Sequence, residues 1–160
     1  MKTLSQFQTI LEESEAKNPR EYLPLLQAKY REFNRTLFDN KLPEVPISFG
    51  VIKGFVAAAK AQFRVLRRGN SRNYIESELL PGSLKLVFST VYNMTEEQIL
   101  GVLIHEMIHI YFHVSNMPNV NHGLEFMRMR NQLQSKVSYK IPMKEDAEVF
   151  NLSLDVKPKN

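Results

Sequence analysis

The segment His105-Glu106-Met107-Ile108-His109 constrains this chain more than any other feature, because it lies inside an apolar run over residues 99–112. Residues four apart on an α-helix lie one turn apart on the same face. Two neutral imidazole rings at that spacing can bind one zinc ion, with a third protein ligand and a water completing the site. The intervening Glu106 lies beside that water and can accept its proton. The pattern therefore predicts a helix, a metal and hydrolytic chemistry.

The tetrapeptide Thr95-Glu96-Glu97-Gln98 has the pattern of a capping box and predicts where this helix begins. A helix over residues 96–114 directs one apolar stripe toward a core and places the two histidines on a neighbouring stripe. The stripe consists of Ile99, Val102, Leu103, Met107 and Ile110. The alternative is a pair of partly buried histidines that are satisfied by hydrogen bonds. The spacing and the intervening glutamate favour the metal site.

Spacing alone does not identify the third metal ligand. Metzincins need a glycine and a histidine at positions that hold Phe112 and Ser115 here, so that class is excluded. His113 continues the four-residue series, but one ion rarely contacts three successive turns of a straight helix. We therefore expect His113 at the surface or behind the ligands. Beyond a helix-breaking loop, His122 and Glu125 are the competing candidates.

The helix motif, followed by His122-Gly123-Leu124-Glu125-Phe126, resembles the SprT-like metalloprotease family, whose member Spartan digests proteins crosslinked to DNA. The family pattern is H-E-[LM]-I-H-A-Y, a variable loop, then H-G-x-x-F. Residues 33–43 and 83–89 are similar to the family's segments before its first strand and before its active-site helix. The resemblance covers about residues 22–135. It implies that His105, His109 and His122 bind zinc and that Glu106 is the general base.

The chain departs from the family pattern in several places. Ile110 replaces the usual alanine, and the family's small glycine-containing segment appears here as residues 54–59. Many members carry a cysteine zinc ribbon, whereas this chain contains no cysteine. We therefore expect any contact with DNA to come from the domain itself or from a partner.

The order of predicted elements is helices, a small sheet and two further helices, which favours an α+β fold with a zincin-like core. We predict a helical extension over residues 1–21, the SprT-like domain over 22–135 and a loosely held tail over 136–160. The first helix ends near residue 18 and the second spans about 22–38. Strands are predicted at 47–52, 61–66, 73–78 and 84–88, with the last helices at 96–114 and 123–135.

Composition limits the class of protein. A length of 160 residues with 43% hydrophobic content fits one domain with its own core. No apolar run reaches the length of a membrane span, and the N-terminus lacks the apolar stretch of a signal peptide. The absence of cysteine excludes disulfides and thiolate zinc sites. We expect an intracellular, cytoplasmic protein, with its oligomeric state left open.

Part of the net charge of +4 is concentrated in one stretch. Within residues 60–73, a predicted strand, turn and strand, lie five cations: Lys60, Arg64, Arg67, Arg68 and Arg72. Such a basic hairpin beside a cleft can hold the phosphates of a nucleic acid. The alternative is a solvated hairpin tip, and the family's association with DNA favours nucleic acid.

Two functions follow from these patterns. The first is a zinc endopeptidase that acts on protein substrates, including DNA-bound proteins. The second is a zinc-stabilised structural or DNA-binding component of a larger assembly, such as a virus particle. Glu106 favours the first, because a structural site has no use for a general base. The candidates for the residue that stabilises the oxyanion are Tyr111, Tyr139 and Arg128, and spacing does not choose among them.

Overall fold

The computed structural model describes residues 15–68, 75–117 and 120–146, and these residues form an α+β fold, as predicted. The first predicted helix lies almost entirely outside them, as do residues 69–74 and the end of the predicted tail. The elements are a 3-10 helix (Pro19–Tyr22), α1 (Leu23–Leu37), β1 (Ile47–Gly50), β2 (Ala57–Lys60), β3 (Phe63–Arg68), β4 (Ile75–Leu79), β5 (Lys85–Ser89), α2 (Glu96–Val114) and α3 (Leu124–Gln134).

Helix α1 packs one apolar stripe into the core. Leu26, Tyr30 and Phe33 are buried on it, as the helical spacing predicts. The Tyr30 hydroxyl donates a hydrogen bond to the carbonyl of Pro43 at 2.6 Å. The side chain of Asn34 both donates to and accepts from the backbone of Leu42, at 2.8 and 3.0 Å. These bonds fix the turn that leads from α1 to the sheet.

Three strands form a sheet in the order β1-β5-β2, and β3 pairs with β4 in a separate antiparallel hairpin. β1 runs parallel to β5 and β2 runs antiparallel to it. The central strand β5 buries Leu86 and Phe88 completely. β2 is therefore an edge strand, and it packs against α2.

The sequence does not predict β2. It predicts one strand at 61–66, whereas the structure has β2 before that position and β3 across its C-terminal part. The three alanines of β2 have low strand propensity, so pairing with β5 outweighs local preference here.

Helix α2 is the centre of the fold, and its bounds match the prediction. The capping box is present: the Thr95 hydroxyl accepts from the Gln98 N–H at 3.2 Å, and the Gln98 side chain accepts from the Thr95 N–H at 2.9 Å. All five predicted core residues of this helix are fully buried. Among the described helices, none has the length and apolar character needed to cross a membrane.

Residues 139–146, here called the strap, lie against the domain instead of forming the loosely held start of a tail. Ile141 is fully buried and Pro142 is also buried. The backbone passes so close to α2 that a Cβ on Gly101 would lie 2.1 Å from the carbonyl oxygen of Lys140. These contacts join residues far apart in sequence, so neither periodicity nor composition indicates them.

Candidate metal centre

Helix α2 and the loop after it bring three predicted histidines to one point. His105 and His109 lie one turn apart on α2, and the loop returns His122 beside them. Asn116 and Asn121 make this return possible by adopting positive φ angles of 58° and 48°, which asparagine tolerates better than most residues. The three Nε2 atoms form a triangle in which every edge measures 3.2 Å.

Phe126 of α3 lies against all three imidazoles. Its ring centroid is 4.7 Å from those of His105 and His109 and 5.2 Å from that of His122. Phe126 is fully buried, so it restricts the positions of all three rings. This contact gives a physical role to the phenylalanine of the H-G-x-x-F segment.

The backbone of the strap sets the tautomer of His105. Its Nδ1 lies 2.6 Å from the carbonyl oxygen of Pro142. A carbonyl only accepts hydrogen bonds, so Nδ1 carries the proton and donates it. In the neutral ring Nε2 then presents its lone pair toward the other two histidines, which is the orientation a metal ligand needs.

A fourth ligand atom comes from Glu145, which the sequence analysis missed. Its Oε1 lies 2.8 Å from Nε2 of His105 and 2.9 Å from Nε2 of His109, and its Oε2 lies 3.1 Å from Nε2 of His122. The four side chains form a group that can hold a metal ion. Glu145 has no periodic relation to the helix motif, so only the path of the strap reveals it.

The chemistry of this group fits a cation. Neutral imidazole nitrogens and an ionised carboxylate all present lone pairs, so their close approach requires a proton or a metal ion among them. Ligand atoms in a tetrahedral site with bonds of about 2.0 Å lie about 3.3 Å apart. The observed separations of 2.8 to 3.2 Å are close to that value.

Glu106 differs from Glu145 in its surroundings. It is fully buried, and neither carboxylate oxygen has a hydrogen bond of ordinary geometry to a described residue, although the Ala59 backbone and the Glu145 carboxylate lie near enough to affect its pKa. Burial, and then the negative charge of Glu145, raise the pKa of Glu106 well above its usual range. Burial also opposes ionisation of Glu145, but His105 and His109 outweigh it when their rings carry a proton at Nε2, and they then hold the pKa of Glu145 below its usual range.

Desolvation also affects two of the histidines. Burial lowers the pKa of His109, and the positive charges of the neighbouring histidines lower it further, against the opposing effect of Glu145. Burial lowers the pKa of His113 as well. Both shifts favour the neutral imidazole, which is the form that binds a metal.

A cavity of about 360 Å³ opens beside the group. It is lined by β2, by the last turns of α2 and by the loop that carries His122, with Glu145 among its lining residues. Its apolar wall includes Phe55, Phe112 and Val120. Glu106 does not line this cavity, although it lies one residue from His105.

The other candidates lie outside the group. His113 lines the cavity, with its ring 5.6 Å from that of Phe63, but it is not one of the converging ligands. Glu125, the competing third ligand, is exposed on the first turn of α3. The three oxyanion candidates, Tyr111, Tyr139 and Arg128, do not line the cavity.

The basic stretch is only partly described. Lys60 is exposed at the end of β2 and lines the cavity, and Arg64 is exposed on β3, where it forms an ion pair with Glu78 of β4. The backbones of Arg67 and Arg68 belong to β3, and Arg72 lies outside the described residues. Glutamates of β4 stand opposite Arg64 and Arg67 in the strand register, so the hairpin is less basic than the sequence of β3 alone indicates.

The model of the SprT-like family matches residues 26–147. The match spans most of the chain and includes most of α1, the sheet, the three histidines and the strap. None of the curated proteins compared with the chain matches it.

Proposed function

This chain belongs to the SprT-like family, and from that membership and the geometry of its histidines we propose that it is a zinc-dependent endopeptidase. The observation that carries the proposal is the convergence of three Nε2 atoms beside a buried carboxylate, Glu106. A zincin-like active site needs both features, since the histidines hold the metal and the carboxylate moves the proton.

Zinc is the metal that the donor set favours. Imidazole binds several divalent metals, but near-tetrahedral ligand spacing and the absence of thiolates are typical of catalytic zinc sites. His105, His109 and His122 would hold the ion. When bound, zinc acts as a Lewis acid that polarises a peptide carbonyl and makes water more acidic.

Glu106 acts as the general base in this proposal. It accepts the proton of the attacking water and passes it to the amine that leaves when the peptide bond breaks. Burial raises the pKa of Glu106, which makes its carboxylate a stronger base toward the proton of the water. The backbone of Ala59 opposes the rise of this pKa but does not outweigh burial and the charge of Glu145.

The cavity suits an extended peptide. Its lining includes the whole of the edge strand β2, and an edge strand can pair with a substrate through main-chain hydrogen bonds. Phe55, Phe112 and Val120 can receive an apolar substrate side chain. Lys60 lies at the same cavity, which supports the further proposal that the substrates are proteins bound to DNA.

One observation favours a second candidate, a zinc-stabilised structural or DNA-binding component of a larger assembly. Glu145 offers a fourth ligand atom, and zinc sites with four protein ligands are characteristic of structural centres. In that case the bound metal would stabilise the fold without hydrolysing peptides.

Cleavage of a DNA-binding protein by the wild type and by Glu106→Gln, with and without single-stranded DNA, separates the candidates. General-base catalysis contributes typically about 10²–10⁴-fold, so Glu106→Gln is expected to lose at least that factor. Its zinc content should equal that of the wild type, because every proposed ligand remains.

Glu125→Gln is the matched control, since it makes the same chemical change at an exposed position outside the metal group. It should cleave like the wild type. Equal rates for Glu106→Gln and the wild type would contradict the proposed mechanism. No cleavage by either protein, together with full zinc content, would support the structural candidate.

A further inference from the structure

The strap is anchored to α3 by side chains that bond its backbone. Gln134 accepts a hydrogen bond from the Ile141 N–H at 2.8 Å and donates one to the carbonyl of Tyr139 at 2.7 Å. Arg130 donates through Nε to the carbonyl of Ile141 at 2.8 Å. These bonds hold the beginning of the strap in one position.

The strap next crosses α2 at its closest approach. Gly101 leaves the space for the Lys140 carbonyl, Ile141 fills the core, and the Pro142 carbonyl accepts from His105. The strap reaches the metal centre along this path.

The end of the strap pairs with the segment that leads into β2. The Val56 N–H donates to the carbonyl of Glu145 at 2.9 Å, and Phe55 and Asp146 form an antiparallel bridge. The main chain at Glu145 is thus held beside the substrate edge, while its side chain reaches the histidines. An extended peptide bound for cleavage would need the same neighbourhood.

We propose that Glu145 is a displaceable fourth ligand and that the strap closes the metal centre until a substrate takes its place. This inference rests on the proposed function, because a hydrolytic centre needs its fourth position for water. The Glu145 carboxylate lies within 3.1 Å of all three Nε2 atoms, where that water would otherwise bind. Glu106 is fully buried, and Glu145 is the carboxylate that faces the cavity.

The fixed position of the strap explains how one carboxylate can close the site. A ligand on the same chain acts at an effective concentration in the millimolar range or above, so it competes with free anions without binding tightly itself. Glu145 is also partly exposed at the cavity, so an incoming group can reach it. The expected result is a centre that is closed at rest but can still be opened.

The test uses the full chain loaded with cobalt, whose visible absorption reports the ligands of the metal, and titrates it with acetohydroxamate. Glu145→Ala removes the closing ligand. Because a tethered ligand acts at millimolar effective concentration, its removal should tighten acetohydroxamate binding by about 10-fold or more. The cobalt spectrum of the unliganded protein should change as well.

Gln134→Ala is the second variant, since it removes two strap anchors and keeps all four candidate ligands. It should shift acetohydroxamate binding in the same direction as Glu145→Ala. Glu125→Ala, which removes an exposed carboxylate outside the group, should bind acetohydroxamate like the wild type.

Equal acetohydroxamate affinity in the wild type, Glu145→Ala and Gln134→Ala would overturn the proposal. Loss of cobalt binding in Glu145→Ala would also overturn it, because the carboxylate would then be a permanent ligand. The readout does not depend on proteolysis. If no variant cleaves peptides but the affinities differ as expected, the strap proposal stands and the peptidase proposal fails.

Discussion

Helix α2 and the strap meet at the same metal centre, yet they are specified by the sequence in different ways. α2 contributes His105 and His109 through a four-residue spacing that can be recognised in the sequence alone. The strap contributes Glu145 through contacts with α2, α3 and the sheet edge. Local periodicity therefore identifies the helical ligands, whereas only tertiary structure identifies the carboxylate.

The two regions also differ in the contacts that hold them. α2 is apolar and buried over most of its length, so its histidines stand on the core of the domain. The strap is held by a few hydrogen bonds and by the burial of Ile141 and Pro142. If Glu145 leaves the metal as proposed, His105 and His109 on the buried helix would still hold the ion.

Gly101→Ala tests the close contact between α2 and the strap. An alanine at a helix interior normally stabilises by about 0.8–1 kcal/mol relative to glycine. Here its Cβ would lie 2.1 Å from the Lys140 carbonyl oxygen, so the strap must move. We expect the clash to outweigh the helix preference and to lower the free energy of unfolding by about 1–3 kcal/mol.

Chemical denaturation of the metal-free protein measures this effect. Gly50→Ala is the matched control, because its new Cβ meets only the Val87 side chain at an ordinary 3.7 Å. That variant should differ little from the wild type. If Gly101→Ala were as stable as the wild type or more so, the tight crossing of strap and helix would be refuted.

Sequence reasoning recovers the parts of this fold whose cause is local. Neighbouring residues determine the capping box at Thr95 and the apolar stripes of α2 and α1. The structure contains all three features. The α+β class follows from the order of those elements. The sequence identifies the three histidines, although the choice of His122 over Glu125 depends on family resemblance.

The missing parts have non-local causes. β2 consists of three alanines and Lys60, which form a strand by pairing with β5, and no pattern within Ala57–Lys60 indicates it. Glu145 reaches the histidines because Gly101 leaves room for the strap. Both features depend on contacts between residues far apart in the sequence, so they become visible only in the packed domain.

The β3–β4 hairpin shows the same difference between what the local sequence indicates and what the tertiary structure contains. The sequence of β3 is basic, but in the folded hairpin Arg64 forms an ion pair with Glu78 of β4. We predict that replacing Arg64, Arg67 and Arg68 with Ala weakens binding of single-stranded DNA and lowers its salt dependence. Each lost phosphate contact should reduce the slope of log affinity against log salt by roughly 0.7.

Titration of labelled DNA at several salt concentrations measures that slope. Arg64→Ala alone should change it least, because its charge is already paired with Glu78. Arg31→Ala, an exposed cation of α1, is the control and should match the wild type. An unchanged slope in the triple variant would favour a solvated hairpin without a role in nucleic-acid binding.

Zinc content after dialysis decides whether His105, His109 and His122 hold one zinc ion. The informative comparison is His122→Ala with His113→Ala, since both remove an imidazole at the cavity but only His122 belongs to the converging group. We expect one zinc per chain in the wild type and in His113→Ala, and strongly reduced zinc in His122→Ala. Full zinc retention in His122→Ala, with loss in Glu125→Ala instead, would contradict this expectation.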